Sequence, residues 1–193
     1  MSDFSAARQK MVDGQVRPSD VTDLRIIDAM LAVPREDYVP AHLRPVAYLD
    51  QDLDIGAAGE ARRFLIKPVV LAKMLQAAEL KATDNVLVVG CSSGYSAAVI
   101  GKIVGKVTNA GVEGDAASGP YDVIVMAGAT EVAPTGLYGQ LKLGGKLLGV
   151  FAQNKPLRAT MVTHSHDDFG SRPLFDAVVP VLPGFERKAE FVF

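Results

Sequence analysis

The stretch Val86-Leu87-Val88-Val89-Gly90-Cys91-Ser92-Ser93-Gly94-Tyr95-Ser96 decides the fold. With Asn85 before it, it opens as a short, nearly all-apolar run, the signature of a strand buried on both faces. That run enters a G-x-x-x-G turn and then Ala97-Ala98-Val99-Ile100, which has a helical pattern. In open α/β sheets, ligands bind beyond the carboxyl ends of strands, where a crossover begins. Gly90 lets the chain turn sharply, and Gly94 lets backbone approach a ligand closely. The first turn of the following helix offers N–H groups. The spacing is neither G-x-G-x-x-G nor G-x-x-x-x-G-K-[ST], so the dinucleotide and phosphate-loop signatures are absent. A ligand without phosphates suits such a turn, and S-adenosylmethionine, with its amino-acid carboxylate near the helix N-terminus, is one. A close-packed strand-to-helix junction without a ligand has the same pattern.

Working outward, Tyr121-Asp122-Val123-Ile124-Val125-Met126 is a second buried run, and Lys146 to Phe151, introduced by Gly144-Gly145, is a third. Arg158 to His164 and Lys188 to Phe193 read as two late strands placed to pair antiparallel. Upstream, residues 3–14 and 23–33 read as helices. In the second, Leu24, Ile27, Met30 and Leu31 share a face, Thr22 or Asp23 caps the start and Pro34 stops it. Residues 34–67 are irregular. Pro68 then begins a helix on which Leu71, Met74, Leu75 and Ala78 align. The expected fold is a doubly wound, mostly parallel α/β sheet with N-terminal helices and an antiparallel C-terminal strand pair. One domain is expected over 1–193, with residues 1–80 forming a helical, substrate-side region and 81–193 the sheet core.

Composition limits the function. The 193 residues carry 20 Lys+Arg against 22 Asp+Glu, a net charge of −2, which argues against a nucleic-acid binder. With 49% hydrophobic and 22% charged residues the chain is not disordered. No apolar run approaches the roughly 18 residues of a membrane span. No secretory leader is visible, so a cytoplasmic location is expected. The single cysteine, Cys91, excludes an internal disulfide and any multi-thiolate zinc site.

Several segments, taken in order, resemble the protein-L-isoaspartate O-methyltransferase family. They are Val21 to Met30 with Val33-Pro-Arg-Glu-Asp-Tyr-Val-Pro40; Ala47-Tyr48-Leu49-Asp50 with Leu53-Asp54-Ile55-Gly56; Pro68 and its helix; and the Gly90–Tyr95 turn. Val112-Glu113-Gly114-Asp115, Pro120 to Val125 and Leu143-Gly144-Gly145-Lys146-Leu147 follow. The resemblance covers most of residues 7–151. It implies a Rossmann-like methyltransferase that moves a methyl group from S-adenosylmethionine to the α-carboxylate of L-isoaspartyl residues in damaged proteins, a repair reaction. It further implies that Gly90, Ser92, Gly94 and Tyr95 line the methionine part of the cofactor. Glu113-Gly114-Asp115 would form a strand-end motif near the adenine, and Ala127 and Gly128 would lie at the reactive end. The partners implied are isoaspartyl proteins or peptides.

Three departures from the family pattern stand out. Val88 replaces an Asp of the strand before the turn. Phe64-Leu65-Ile66 replaces a Thr-Ile-Ser segment whose serine serves the isoaspartyl carboxylate. Isoleucine cannot hydrogen-bond a carboxylate, so Arg62, Arg63 or Lys67, flanking Ile66, would have to hold it by charge. Another methyl acceptor, or binding without catalysis, would also fit these losses. Finally, the chain between Val89 and Asp122 is too short for the two further strands and helices of the family topology, since a βαβ unit alone takes about 30 residues. A direct crossover would be left-handed, which occurs in about 2% of cases. A break is therefore expected at Val107–Thr108, with a second near Gly119–Pro120, and the missing piece would carry the acid that holds the ribose hydroxyls.

Other features take plain readings. His164-Ser-His166-Asp167-Asp168 has metal-ligand types but reads better as a solvated turn. Cys91 reads as a small turn residue rather than a nucleophile. Tyr48 and Asp50 suit either packing or a peptide-binding wall. Residues 173–185, with Phe175 and Phe185, read as a structured tail on the core.

Overall fold

A computed structural model of the chain describes residues 4–57, 59, 62–166 and 168–188. Helix α1 (Phe4–Met11) continues through a π turn (Val12–Val16) and a 3₁₀ turn (Arg17–Ser19). Asp23 caps α2 (Leu24–Ala32): its carboxylate accepts from the Arg25 N–H at 2.9 Å. Extended Val33 and Pro34 end that helix. Two 3₁₀ stretches (Arg35–Tyr38 and Ala41–Val46) lead to a small antiparallel ladder, β1 (Leu53–Asp54) with β2 (Phe64–Leu65). Pro68 then opens α3 (Pro68–Ala78).

The main sheet follows. Strand β3 (Asn85–Val89) is buried at every residue. After α4 (Tyr95–Ile100) comes β4 (Lys106–Ala110), then β5 (Tyr121–Thr130), α5 (Thr135–Tyr138), β6 (Leu141–Phe151), β7 (Arg158–Ser165) and β8 (Asp168–Asp176). The spatial order is β4-β3-β5-β6-β7-β8. Strands β4, β3, β5 and β6 are parallel, while β7 and β8 are antiparallel. The carboxyl ends of β3, β4, β5 and β6 therefore face one rim.

Two apolar layers sandwich this sheet. Val86, Val88, Val123 and Val125 pack with α2, α3 and α4 on one face. Leu87, Val89, Ile124 and Met126 pack with Leu137, Leu182 and Phe185 on the other. The alternation along β3 and β5 is the period-two consequence of a strand covered on both sides. Asp122 secures the lower end: its carboxylate accepts from the Asn85 N–H at 2.8 Å and from Lys142 Nζ at 2.7 Å.

The structure corrects three expectations. The chain is not broken at Val107–Thr108, because β4 runs through both residues and pairs with Val86 and Leu87. It is equally joined at Gly119–Pro120. The handedness difficulty disappears because β4 lies between the two connections. The β3-α4-β4 crossover steps outward on one face, and the Gly111–Pro120 connection steps back across β3 on the other, so both keep one hand. Third, the antiparallel partner of β7 is β8, through a tight turn at His166 (φ 41°), and not the segment from Lys188. Lys188 is in no strand, and residues 189–193 lie outside the described residues. The His164–Asp168 segment is thus mostly hairpin end: His164 stacks on Phe169 at 4.7 Å. Among the described residues no group of three or more metal-ligating side chains exists.

Candidate active site

A cavity of about 500 Å³ opens at the shared rim of β3, β4 and β5. Gly90, Cys91 and Ser92 bring the glycine turn to it. Asn109 to Val112 bring the end of β4 and the turn after it, Ala127 the part of β5 just past its pairing with β3, Arg63 and Phe64 the start of β2, and Pro180 to Pro183 the tail. The turn is shaped by Gly90 at φ +74° and Gly94 at φ +82°, which an L side chain rarely adopts. It is pinned from the neighbouring strand: the Gly90 N–H donates to Ala110 O at 3.2 Å, and Asn109 Nδ2 donates to Cys91 O at 3.1 Å. The tail is pinned to β5 by Ala129 N–H to Pro180 O at 2.8 Å and Leu182 N–H to Ala129 O at 2.9 Å.

Of the residues singled out for a cofactor, Gly90, Ser92 and Ala127 line the cavity, and the others do not. Gly94 and Tyr95 start α4 behind the turn, where Tyr95 is fully buried against Tyr38. Burial pushes the Tyr95 phenol upward in pKa. Gly128 lies beneath Leu182. Glu113, Gly114 and Asp115 turn away and are clamped by Gln140, which donates to Glu113 O at 2.8 Å and accepts from the Asp115 N–H at 3.0 Å. The Asp115 carboxylate accepts from Ser118 Oγ at 2.7 Å, and this bond first of all lowers its pKa. The first N–H groups of α4 are also partly taken: Tyr95 donates to Ser93 Oγ and Ser96 to Cys91 Sγ.

Of the four residues singled out for a substrate, Arg63 alone lines the cavity. Arg62 sits 3.7 Å from Asp54 in an exposed ion pair. The Lys67 ammonium lies 3.7 Å from Asp52, whose pKa is raised by burial. The Ile66 side chain is 1% exposed and belongs to the core. Sequence reasoning missed Phe64, Asn109 to Val112 and Pro180 to Pro183. Their only signal was position at the ends of elements that had not been recognised as neighbours.

The floor beneath this site explains the Val-Pro-Arg-Glu and Ala-Tyr blocks. Arg35 is wholly buried, donating Nε to Ala47 O at 2.7 Å and Nη2 to Ile66 O at 2.9 Å. Its guanidinium lies over the Tyr95 ring at 4.8 Å. Burial lowers its pKa from the usual arginine value. One residue on, Glu36 accepts from Tyr48 and lies 3.2 Å from Arg8, and Arg8 Nε also donates to the Tyr48 hydroxyl at 2.9 Å. Burial, then the bond to Glu36, pushes the Tyr48 phenol up to about 12. Arg35 thus joins the carbonyl of Ile66 to the first residue of α4.

Comparison with known proteins agrees with this architecture. A relative from Koribacter versatilis, a protein-L-isoaspartate O-methyltransferase, is 31% identical over 176 aligned positions, covering 77% of this chain and 78% of its own. One from Rhodopseudomonas palustris strain HaA2 is 33% identical over 210 positions, covering 93% and 84%. Since 77% of 193 residues is about 149, about 27 of the 176 positions in the first alignment have no residue in this chain. The shortfall expected from the sequence is therefore present as length that the relative has and this chain lacks. A solved protein-L-isoaspartate O-methyltransferase superposes with a TM-score of 0.76 at 20% identity, covering 90% of this chain but 65% of that one. A Plasmodium falciparum structure, described as a beta-aspartate methyltransferase in complex with S-adenosyl-L-homocysteine, superposes at 0.70 and 16% identity, covering 91% and 97%. The family model for protein-L-isoaspartate(D-aspartate) O-methyltransferase matches in two pieces, residues 6–113 and 106–171, which meet at β4 and the turn after it. With most of its length matched from α1 to β8, the chain belongs to the protein-L-isoaspartate(D-aspartate) O-methyltransferase family.

Proposed function

We propose that this protein methylates the α-carboxylate of L-isoaspartyl residues with S-adenosylmethionine, and that the rim cavity is where it does so. The observation that carries the reading is one cavity holding both the glycine turn and a cationic side chain, Arg63. Its volume of about 500 Å³ lies within the usual range for small-molecule sites. The fit to S-adenosylmethionine is reasonable on this chain's own chemistry. Phe64, Val112 and Leu182 give apolar walls, and the Ser92 hydroxyl makes no hydrogen bond among the described residues. Gly90, Ser92 and Ala127 would hold the cofactor and Arg63 the acceptor. Bound there, S-adenosylmethionine supplies a methyl group already carried by a good leaving group.

No strong base is needed, because the acceptor carboxylate is ionised near neutral pH. The chain's work is to align that carboxylate with the methyl carbon and to keep water out. Arg63 offers two-pronged hydrogen bonding to it. A cytoplasmic setting suits the single, buried thiol of Cys91. No helix among the described residues is long and apolar enough to cross a membrane.

The deciding assay is transfer of labelled methyl to an isoaspartyl peptide and to its aspartyl twin. Transfer to the first only is expected. Arg63→Ala should raise the KM for the peptide about 10- to 100-fold, the worth of a charged hydrogen bond, and leave the KM for S-adenosylmethionine nearly unchanged. No transfer to the isoaspartyl peptide would sink the reading. A second reading, a different acceptor carboxylate, rests on the buried apolar Ile66. Equal transfer to both peptides would favour it.

A further inference from the structure

We propose that Arg35 is a positioning residue for the methyl transfer: from beneath the cavity it sets where the acceptor side stands relative to the donor side. The proposal rests on the rim cavity being the transfer site. The two sides come from separate parts of the chain. Arg63 and Phe64 stand at the start of β2, in a ladder that pairs only Leu53 with Leu65 and Asp54 with Phe64. The glycine turn belongs to the main sheet. Leu53 and Leu65 sink the ladder into the core. Apolar burial is non-directional, so it does not by itself fix where the ladder stands.

Arg35 supplies directional ties to both sides. Its Nη2 donates to the carbonyl of Ile66, the residue after β2, and its Nε donates to the carbonyl of Ala47, on the way into β1. The guanidinium carbon lies 4.8 Å from the centre of the Tyr95 ring, and Tyr95 directly follows Gly94 of the turn. One planar group therefore spans the entry to β1, the exit from β2 and the first residue of α4. For stability alone this is a costly arrangement. Arg35 is 0% exposed, its hydrogen bonds go to neutral carbonyls, and Nη1 makes none among the described residues. Apolar side chains of the same volume commonly stabilise as much as a buried charge. What the rigid fork adds is fixed geometry. That geometry matters for a reaction whose protein contribution is alignment, since a misplacement of about 1 Å can cost about 100-fold in rate.

The test uses Arg35→Lys in the full chain, which keeps the charge and loses the span. Transfer to the isoaspartyl peptide is counted per site that titrates calorimetrically with S-adenosylhomocysteine, so an unfolded fraction is not scored as slow enzyme. The kcat per site should fall about 10- to 100-fold. Arg35 does not line the cavity. The Kd for S-adenosylhomocysteine and the KM for the peptide should therefore each stay within about threefold of wild type. Binding gives a second readout, with the peptide titrated into the free protein and into its S-adenosylhomocysteine complex. In wild type the bound nucleoside should tighten the peptide about fivefold or more, whereas in Arg35→Lys the two titrations should agree within about twofold. Tyr95→Leu cuts the same tie from its other end and spares both carbonyl bonds; it should lower kcat per site about three- to tenfold, and it serves where Arg35→Lys does not fold. An unchanged kcat per site, a loss carried wholly by KM or Kd, or equal coupling in variant and wild type overturns the proposal. A wild-type protein that neither binds S-adenosylhomocysteine nor methylates the peptide overturns the cavity reading beneath it and the proposal with it, a failure distinguishable from the other three.

Discussion

Ile66 carries opposite expectations depending on which half of the residue is considered. Its backbone carbonyl is held by Arg35, and its side chain is 1% exposed in the core beside α3. A serine placed there by Ile66→Ser would lose apolar contacts and put a hydroxyl among core side chains that offer it no partner. The expected cost is about 2–4 kcal/mol, as for large-to-small core changes. A urea titration of the variant should show its midpoint shifted downward. An unchanged midpoint together with new methyl transfer would mean that the side chain rotates into the cavity, contrary to this structure. Arg35 is the companion case. It is buried with two backbone carbonyls and one aromatic face as its partners, so truncation strands both carbonyls. Arg35→Ala should therefore cost about 2–5 kcal/mol, from two lost partners of a charged donor. Arg35→Lys should recover part of this, because an ammonium can reach one carbonyl but not span two. Equal stability of the two variants, measured by thermal unfolding, would remove Arg35 from this structural role.

Among elements, α2 offers the clearest pH dependence. Asp23 caps it, and its pKa is lowered first of all by the hydrogen bond from Arg25. A depressed carboxylate contributes its full stabilisation above the unfolded value of 3.8 and loses it as pH falls through the lower folded value. Asp23→Ala should cost about 1 kcal/mol at pH 7, and the gap from wild type should narrow in urea titrations taken to pH values progressively below that unfolded value. A gap that persists undiminished there would argue that the cap acts through shape alone. The strands divide by how legible they were. β3, β5 and β6 announce themselves as apolar runs because both of their faces are covered. β4 and β8 were missed because each lies at a sheet edge: Lys106, Asn109, Gly170 and Arg172 face solvent there and break the run. β8 even admits Pro173, which a central strand would reject. The site divides the same way. Of the cavity's lining, Gly90 and Ser92 follow a central strand and Ala127 lies in one, where the sequence pattern is legible, whereas Asn109 and Pro180 to Pro183 come from an edge strand and an irregular tail.

On the scale of the whole molecule, the tail from Ala177 to Arg187 connects the chain's last described segment to its central turn. Leu182 lies so close to the sheet that a Cβ built on Gly90 would meet its Cδ2 at 2.5 Å, and one on Gly128 would meet Cδ2 and Cγ at 2.7 Å. Both glycines are thus required by the protein's own leucine, whatever else the cavity holds. This interlock predicts non-additive energetics. Gly128→Ala alone should destabilise by about 1–3 kcal/mol through overpacking. Leu182→Ala alone should cost about 2–5 kcal/mol, because it empties a site covering Ile124 and Met126. Together they should cost no more than Leu182→Ala does, to within about 0.5 kcal/mol, because the added methyl then enters space the leucine has left. A remaining contact limits this: the new Cβ would also lie 3.1 Å from Pro180 O, so the tail must give by a few tenths of an ångström. Strict additivity in a double-mutant cycle of urea titrations would show that Gly128 is resisted by backbone rather than by Leu182, and that the tail is not keyed to the sheet through this side chain.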